Sequence, residues 1–495
     1  MKYISTRDTR NEPERISSAE AIKRGLAPDG GLYLPETIPT TDSDFIRSLA
    51  GLSYSDAAVK ILSLFLDDYS EQELREDCRN AYGAAFGDDP APIKKAGDNV
   101  WCLELWHGPT CAFKDMALQL MPRLLSRALR KTGEKRTALV LVATSGDTGK
   151  AALEGYKNVP GVAIKVFYPV DGVSRVQKLQ MMTQDGSNVD VCAIRGNFDD
   201  AQSGVKKIFA DPAMREELDR RGYFLSSANS INWGRLVPQI EYYYVGYSKL
   251  AASGAVKWGE EIDIAVPTGN FGNIFAAYMA SRMGLPVRRL ICASNSNNIL
   301  TDFLSTGVYD RNRKFYTTMS PSMDILISSN LERLIYLMTD AETTAALMKQ
   351  LAENGKYELP RDVLGKIREK FTGCYADENA TAAAIKHHFE KYGYLCDTHT
   401  AVALSCVDSD HANNASRTVP MLVASTASPY KFAGDVFASL TGKSPADGCA
   451  ALGELSKLTG TDIPAPLKGL DRRRVIFDRV CDVAGMPQDV LGQLK

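Results

Sequence analysis

Apolar and polar positions change their period along this chain, and the change divides it. To about residue 95 the apolar residues recur at helical spacing between turn-forming clusters. A short helix is predicted over 19–24, behind Ser17-Ser18-Ala19-Glu20, which resembles a capping box. The turn-rich PDGG at 28–31 and LYL at 32–34 follow, then two amphipathic helices within 53–85 and a boundary at DDPAP, 88–92. From about 97, short apolar runs alternate with helical stretches. TALVLVA at 137–143 is apolar without interruption, as a strand buried on both faces must be. After it come a helix at 150–156, a strand at 162–168, a helix at 175–183, a strand at 188–194 and a helix at 199–210. IDIAV at 262–266 leads to a helix at 274–283 and a strand at 289–293. Residues 320–395 read as mainly helical, with helices at 330–338, 341–354 and 381–392, and a strand at 420–424 enters a helix at 432–440. The tail, with PAP at 464–466 and Arg472-Arg473-Arg474, reads as a terminal packing segment. Strands and helices alternating in this way predict a parallel sheet covered by helices on both faces.

Composition narrows the function classes. A chain of 495 residues suits about three domains. Its net charge of −2 argues against an electrostatic nucleic-acid binder, which would carry a strong basic excess. The ten cysteines are scattered without a CxxC pair, so reduced thiols are expected and a metal or disulfide framework is not. The polar start MKYISTRDTRNEPER lacks an apolar signal core, and no run approaches the ~20 apolar residues of a membrane span. A cytoplasmic protein is expected.

Chemistry-bearing residues collect at four strand-to-helix junctions: 107–115, 144–149, 267–273 and 425–431. In open α/β sheets ligands sit beyond the carboxyl ends of strands, so the four could share one crevice. In WHGPTCAFKD, 106–115, Lys114 follows Phe113 at the start of a helix marked by Ala117, Leu120, Met121, Leu124 and Leu125. Asp115 suits the positive end of the helix dipole; Lys114 does not. A cation so placed deprotonates more easily, and Schiff-base chemistry needs the neutral amine. The competing reading is a lysine that snorkels to solvent past Phe113. Cys111, three residues earlier, reads as a space-filling thiol. In PTGNFGN, 267–273, Gly269 and Gly272 let the backbone approach an anion ahead of a helix N-terminus. It is neither GxGxxG nor GxxxxGK[ST], so nicotinamide dinucleotide and ATP sites gain no support. In ATSGDTG, 143–149, the hydroxyls of Thr144, Ser145 and Thr148 with the Gly146 amide could grip a carboxylate, or simply cap a helix. In STASPYKF, 425–432, Thr426 follows a buried strand and could meet a ligand or act as a cap. A helix-start lysine and a glycine phosphate cradle together suggest pyridoxal phosphate.

These residues also carry a resemblance. HGPTCAFKD, TSGDTG, SANSINWGR at 227–235, PTGNFGN and TASPYKF occur in the order found in the threonine synthase family, of the pyridoxal-phosphate fold type II superfamily. LAPDGGLYLPE at 26–36 and CDTHTAVAL at 396–404 are similar to that family too, so the resemblance spans nearly the whole chain. It implies an α/β fold with a mainly helical N-terminal domain, 1–95. A core at 96–440 would hold two doubly wound lobes with cofactor in the cleft and a helical insertion around 320–395; a packing segment would fill 441–495. It implies that Lys114 binds the cofactor and shuttles protons, that Gly269, Asn270, Phe271, Gly272 and Asn273 hold its phosphate, and that Thr426 meets its pyridine nitrogen. Thr144, Ser145, Asp147 and Thr148 would hold the substrate carboxylate. Asn232 and Arg235 are candidates for the substrate phosphate, Arg235 because its planar fork matches phosphate oxygens. Arg175 and Lys178 are secondary candidates, read as surface residues. His107 is read as lining the site, and His387, His388, His399 and His411 as structural. One departure stands out: Ser428 and Tyr430 replace the His and Ala of the family's common TAHPAKF. The implied reaction is O-phospho-L-homoserine plus water giving L-threonine and phosphate, by a monomer or homodimer without nucleic-acid or membrane partners. The alternatives are a phospho-lyase releasing 2-oxobutanoate and a non-catalytic binding module of the same fold, against which an intact Lys114 and cradle count.

Overall fold

The computed structural model describes residues 1–144, 146–171, 173–413, 418–444, 446, 448–492 and 494. Two parallel sheets organise the described residues. The first has six strands in the order Phe371–Tyr375, Val287–Ser294, Ile262–Pro267, Met421–Ser425, Val100–Glu104 and Ile93–Gly97. All its pairings are parallel except the last, where Ile93–Gly97 runs antiparallel to Val100–Glu104. The second has five parallel strands in the order Val480–Asp482, Val189–Arg195, Val162–Pro169, Thr137–Ala143 and Tyr223–Ser226. The apolar runs read as strands lie at the centres of these sheets, where both faces are covered and continuous hydrophobicity is required.

Three elements differ from expectation. Within the mainly helical stretch 320–395, Phe371–Tyr375 is a strand that the spacing does not predict, joining the first sheet as an edge strand through its pairing with Val287–Ser294. The tail does more than pack at the surface: Val480–Asp482 extends the second sheet beside Val189–Arg195. The helix opened by Lys114 is only five residues long, Lys114–Leu118, and a second helix, Met121–Lys131, begins after it. Pro122 at the start of that second helix has no N–H to continue a ladder and disfavours helical backbone in the residue before it. Ser17 caps Ser18–Arg24 by accepting from the Glu20 amide, but Glu20 pairs with Lys23 and Arg24 instead of closing a capping box.

The N-terminal region reaches into the rest of the chain. Tyr3–Ser5 pairs antiparallel with Tyr33–Pro35. The Trp233 indole of SANSINWGR is fully buried against Tyr3 and Phe65, with ring centroids 5.5 and 5.6 Å apart. Thr6 Oγ1 and the Arg7 guanidinium bind Glu332 at 2.6–2.8 Å, which ties this region to the helix Leu331–Met338. No helix among the described residues is long and apolar enough to cross a membrane.

Candidate active site

The four junctions lie at the carboxyl ends of strands, and polar contacts tie 107–115, 144–149 and 425–431 together. The Thr426 carbonyl accepts from the Phe113 amide at 2.8 Å, the Cys111 carbonyl accepts from the Ser428 amide at 3.0 Å, and Ala112 bridges to Ala427. The end of Met421–Ser425 therefore fixes the residue before Lys114. Asp115 does not merely decorate a dipole. It is buried, and its two carboxylate oxygens accept from the Thr110 amide and hydroxyl at 2.8 and 2.7 Å. Burial pushes its carboxyl up to about 6. Cys111 holds a left-handed backbone at φ 60°, unusual for a residue with a Cβ. Strain of that kind persists only where the surroundings over-determine it, and here they shape the approach to Lys114.

Lys114 is buried, and the single hydrogen bond of its Nζ among the described residues goes to Ser322 Oγ at 3.3 Å. Asp147 Oδ2 stands 3.7 Å away. Burial is the main reason its amine falls to about 8; the charges of Arg235 and Lys431 push the same way, and Asp147 opposes them. The direction matches the sequence expectation, but the cause is desolvation and not the dipole of so short a helix.

Asp147 had been read as part of a carboxylate-binding loop, and its surroundings correct that reading. Its Oδ1 pairs with Lys431 Nζ at 2.8 Å and accepts from Gln177 Nε2 at 2.9 Å. Burial alone would raise this carboxyl, but Lys431, Lys114 and the Gln177 hydrogen bond hold it well below the usual carboxylate range. An ionised carboxylate repels a substrate carboxylate, so Asp147 is the counter-ion of two buried lysines. Thr144 Oγ1 accepts from the amides of Gly146 and Gly149, both at 3.0 Å, which leaves its own proton as its remaining hydrogen-bonding capacity. Gly146 must be glycine: its φ is 145°, and a Cβ there would lie 2.4 Å from Gln177. Thr148 is half-buried on the first turn of Asp147–Tyr156. Ser145 lies outside the described residues.

The glycine loop follows Ile262–Pro267 and opens the twelve-residue helix Gly272–Met283. Phe271 turns the chain with a left-handed φ of 61° while its ring packs on Phe371 at 5.6 Å. The Asn270 carbonyl accepts from the Asn330 amide and side chain at 3.1 and 2.8 Å, and Gly269 O accepts from Ser328 Oγ at 2.7 Å. Asn273 Oδ1 accepts from the hydroxyls of Tyr242 and Tyr243, while its buried Nδ2 has no partner among the described residues. A free donor at a helix N-terminus, with the amides of the loop, fits a phosphate group. A Cβ on Gly269 would sit 2.9 Å from the Ser322 carbonyl, whereas one on Gly272 would come no nearer than 3.3 Å, to the movable Asn330 amide. Gly269→Ala is therefore expected to push the Ser322 turn away and weaken cofactor retention about tenfold or more. Pyridoxal phosphate content after dialysis checks this, and full retention would place the tight contact elsewhere.

The substrate-phosphate candidates separate. Asn232 caps Trp233–Leu236 by accepting from the Gly234 amide at 2.8 Å and donates to Ile22 O at 2.9 Å. Its side chain thus serves the fold, contrary to expectation. Arg235 is buried with only Nη1 engaged, at 2.6 Å to Ala228 O, and no carboxylate pairs with it among the described residues. Burial pushes its guanidinium down to about 10, so the site pays for a cation that an arriving anion would stabilise. Arg175 has packing partners at Gly448, and Lys178 donates to Val170 O. His107 stacks on Trp106 at 4.2 Å and pairs with Glu104 at 2.8 Å. Ser428, in place of the expected His, caps Pro429–Phe432 by accepting from the Tyr430 amide, and the Tyr430 hydroxyl donates to Thr461 O at 2.7 Å.

Several residues here escaped the sequence reading. Lys431 is fully buried and also donates to Thr110 O at 2.9 Å. Ser322 lies in a turn ordered by Asn295, whose Nδ2 donates to Thr318 Oγ1 at 2.9 Å, Ser320 Oγ at 3.0 Å and Asp324 Oδ1 at 2.8 Å. His399, read as structural, accepts from the Ser322 amide at 3.1 Å. Arg333, buried and pushed down to about 9 by burial, joins Tyr33 O and Ile231 O to Asn330 behind the glycine loop. Lys431 and His399 stand inside the quoted motifs STASPYKF and CDTHTAVAL, whereas the TMSPSMD run reads as an ordinary turn.

Comparison with known proteins adds to this geometry. The family model described as threonine synthase N terminus matches residues 2–82, and that of pyridoxal-phosphate-dependent enzymes matches residues 89–423. The threonine synthase of Pseudomonas aeruginosa is 38% identical over 449 residues, covering 90% of this chain and 92% of that protein. Threonine synthase-like 1 of Homo sapiens is 38% identical over 456 residues, covering 88% of this chain; the chain spans 60% of that longer protein. The crystal structure of pyridoxal-phosphate-bound threonine synthase from Brucella melitensis superimposes with a TM-score of 0.88 at 37% identity, covering all of both chains.

Proposed function

This chain belongs to the threonine synthase family, and on that premise we propose that it converts O-phospho-L-homoserine and water to L-threonine and phosphate, with pyridoxal phosphate as cofactor. The observation that carries the reading is the buried Lys114 amine, lowered to about 8 and set beside Asp147. When bound, the cofactor supplies an electron sink for charge developing at the substrate's α- and β-carbons. Lys114 would hold the cofactor, and its Nζ takes and returns protons at the substrate. Asp147 and Ser322 hold that Nζ when it carries the extra proton. The amides of 269–273 and Asn273 Nδ2 would hold the cofactor phosphate, and Thr426 would face its pyridine nitrogen. Thr144, through its free hydroxyl proton, and Thr148 orient the substrate carboxylate. Arg235 neutralises the substrate's phosphate as it leaves.

Two further readings stay distinct. A phospho-lyase of the same fold would release 2-oxobutanoate, and assaying both products from phosphohomoserine decides between them. A threonine yield far below the phosphate yield would overturn the synthase reading. A binding module would release no phosphate at all.

Arg235→Lys keeps a charge but loses the bidentate fork. We expect kcat/KM for phosphohomoserine to fall at least about tenfold, or ~1.4 kcal/mol, while the cofactor's absorbance is unchanged. Binding of amino acids without a phosphate should be spared. Equal losses for both ligand types would show that Arg235 supports the fold and does not read the phosphate.

A further inference from the structure

The CDTHTAVAL segment has no role in the chemistry so far, yet its side chains converge on the turn above Lys114. Asp397 is fully buried. Its Oδ1 accepts from the His399 amide at 2.8 Å and faces His399 Nδ1 at 3.0 Å; its Oδ2 accepts from the Thr400 amide at 3.3 Å and from the Thr400 hydroxyl. His399 Nε2 accepts from the Ser322 amide at 3.1 Å. With Nε2 accepting, the ring proton belongs on Nδ1, pointing at Asp397. The other arm of the bracket runs through Thr400, whose Oγ1 accepts from the Thr426 amide at 3.3 Å. One carboxylate thus sets both the Ser322 turn and the Thr426 backbone.

Ser322 Oγ stands 3.3 Å from Lys114 Nζ and 3.4 Å from Asp147 Oδ2. A serine hydroxyl has one proton and two lone pairs, so it donates to Asp147 while accepting from the lysine. The lysine stem is flexible, and its amine must aim a lone pair at the substrate's α-carbon. Asp147, at 3.7 Å, contributes charge; Ser322 contributes direction. We propose that Ser322 is a further catalytic residue, orienting Lys114 Nζ for proton transfer, and that Asp397 and His399 are the positioning pair that holds it there. This rests on the reading of Lys114 as the group that moves the α-proton.

The test is exchange of the α-hydrogen of L-threonine in deuterated water, followed by proton NMR on the holoenzyme. In Ser322→Ala, exchange and kcat are expected to fall together by about tenfold or more, with KM and cofactor content unchanged. Ser322→Thr, which keeps a hydroxyl, recovers much of the loss. His399→Leu lowers the same step, and His399→Gln, whose side-chain carbonyl can accept from the Ser322 amide, restores part of it. In the cofactor-free protein, the pH midpoint for acylation of Lys114, read by peptide mass, falls by about half a unit in Ser322→Ala, because an acceptor on the ammonium has gone. Exchange at the wild-type rate in Ser322→Ala, a loss confined to KM or cofactor content, or an unmoved midpoint each overturn the inference alone. Absence of exchange in the wild-type enzyme overturns the reading of Lys114, and the inference with it.

Discussion

Lys114→Ala should leave a folded protein that releases phosphate from phosphohomoserine several orders of magnitude more slowly than the wild type. Two roles end together, the covalent hold on the cofactor and the proton transfers at Nζ, and such losses do not add as independent contributions. The fold should survive, because among the described residues the amine makes one 3.3 Å hydrogen bond, one ion pair at 3.7 Å and a contact with the Phe113 ring at 4.9 Å. Asp147 keeps Lys431 as its partner, so no carboxylate is stranded. Removing an amine that burial already disfavours should cost little stability. Borohydride reduction followed by peptide mass mapping checks the assignment directly: the wild-type peptide carrying residue 114 gains the cofactor's mass and the variant's does not. Turnover near the wild-type level, or label on another lysine, would remove Lys114 from the chemistry.

Much of this architecture is legible in the order of apolar runs, because a doubly covered parallel strand has to be continuously hydrophobic. Thr137–Ala143 and Ile262–Pro267 announce themselves for that reason. Phe371–Tyr375, FTGCY, does not; its strand character comes from pairing with Val287–Ser294, not from its own pattern. The helix Pro238–Ala252 is equally quiet, since thirteen of its fifteen residues are buried and no polar face marks a period. The lysine, the glycine loop and Thr426 stand out as candidates in the sequence because each is a residue type at a fixed offset from a strand end. Asp147 could be seen but not understood, since its partner Lys431 lies far along the chain and a charge pair leaves no local trace. Ser322 and His399 are hidden for the same reason: what gives them meaning is a hydrogen bond between a turn and the start of the helix Thr398–Asn413, 77 residues apart.

That unseen pair supports the second large effect. Lys431→Met should destabilise the protein by about 3 kcal/mol, the lower end of what removing one member of a buried ion pair costs, because Asp147 then keeps only the more distant Lys114, at 3.7 Å. Lys431 has no exposed side-chain surface, and it sits 2.8 Å from Asp147 and 2.9 Å from Thr110 O, so water cannot take its place cheaply. The chemistry should shift as well. Lys431 lowers the Lys114 amine by charge repulsion, and without it Asp147 has Lys114 as its remaining lysine partner. Both changes favour the ammonium, so the Lys114 midpoint should rise above about 8. The sign follows: cofactor capture by the cofactor-free protein, which needs the neutral amine, should move to higher pH in the variant and slow at neutral pH. Urea midpoints at constant slope measure the stability, and the pH dependence of cofactor absorbance measures the capture. Asp147→Asn combined with Lys431→Met should recover much of the lost stability, because the carboxylate is then gone and the buried Lys114 amine, no longer held charged by it, goes neutral more easily. A single variant as stable as the wild type, or a double variant no better than the single, would show that the pair does not hold the site together.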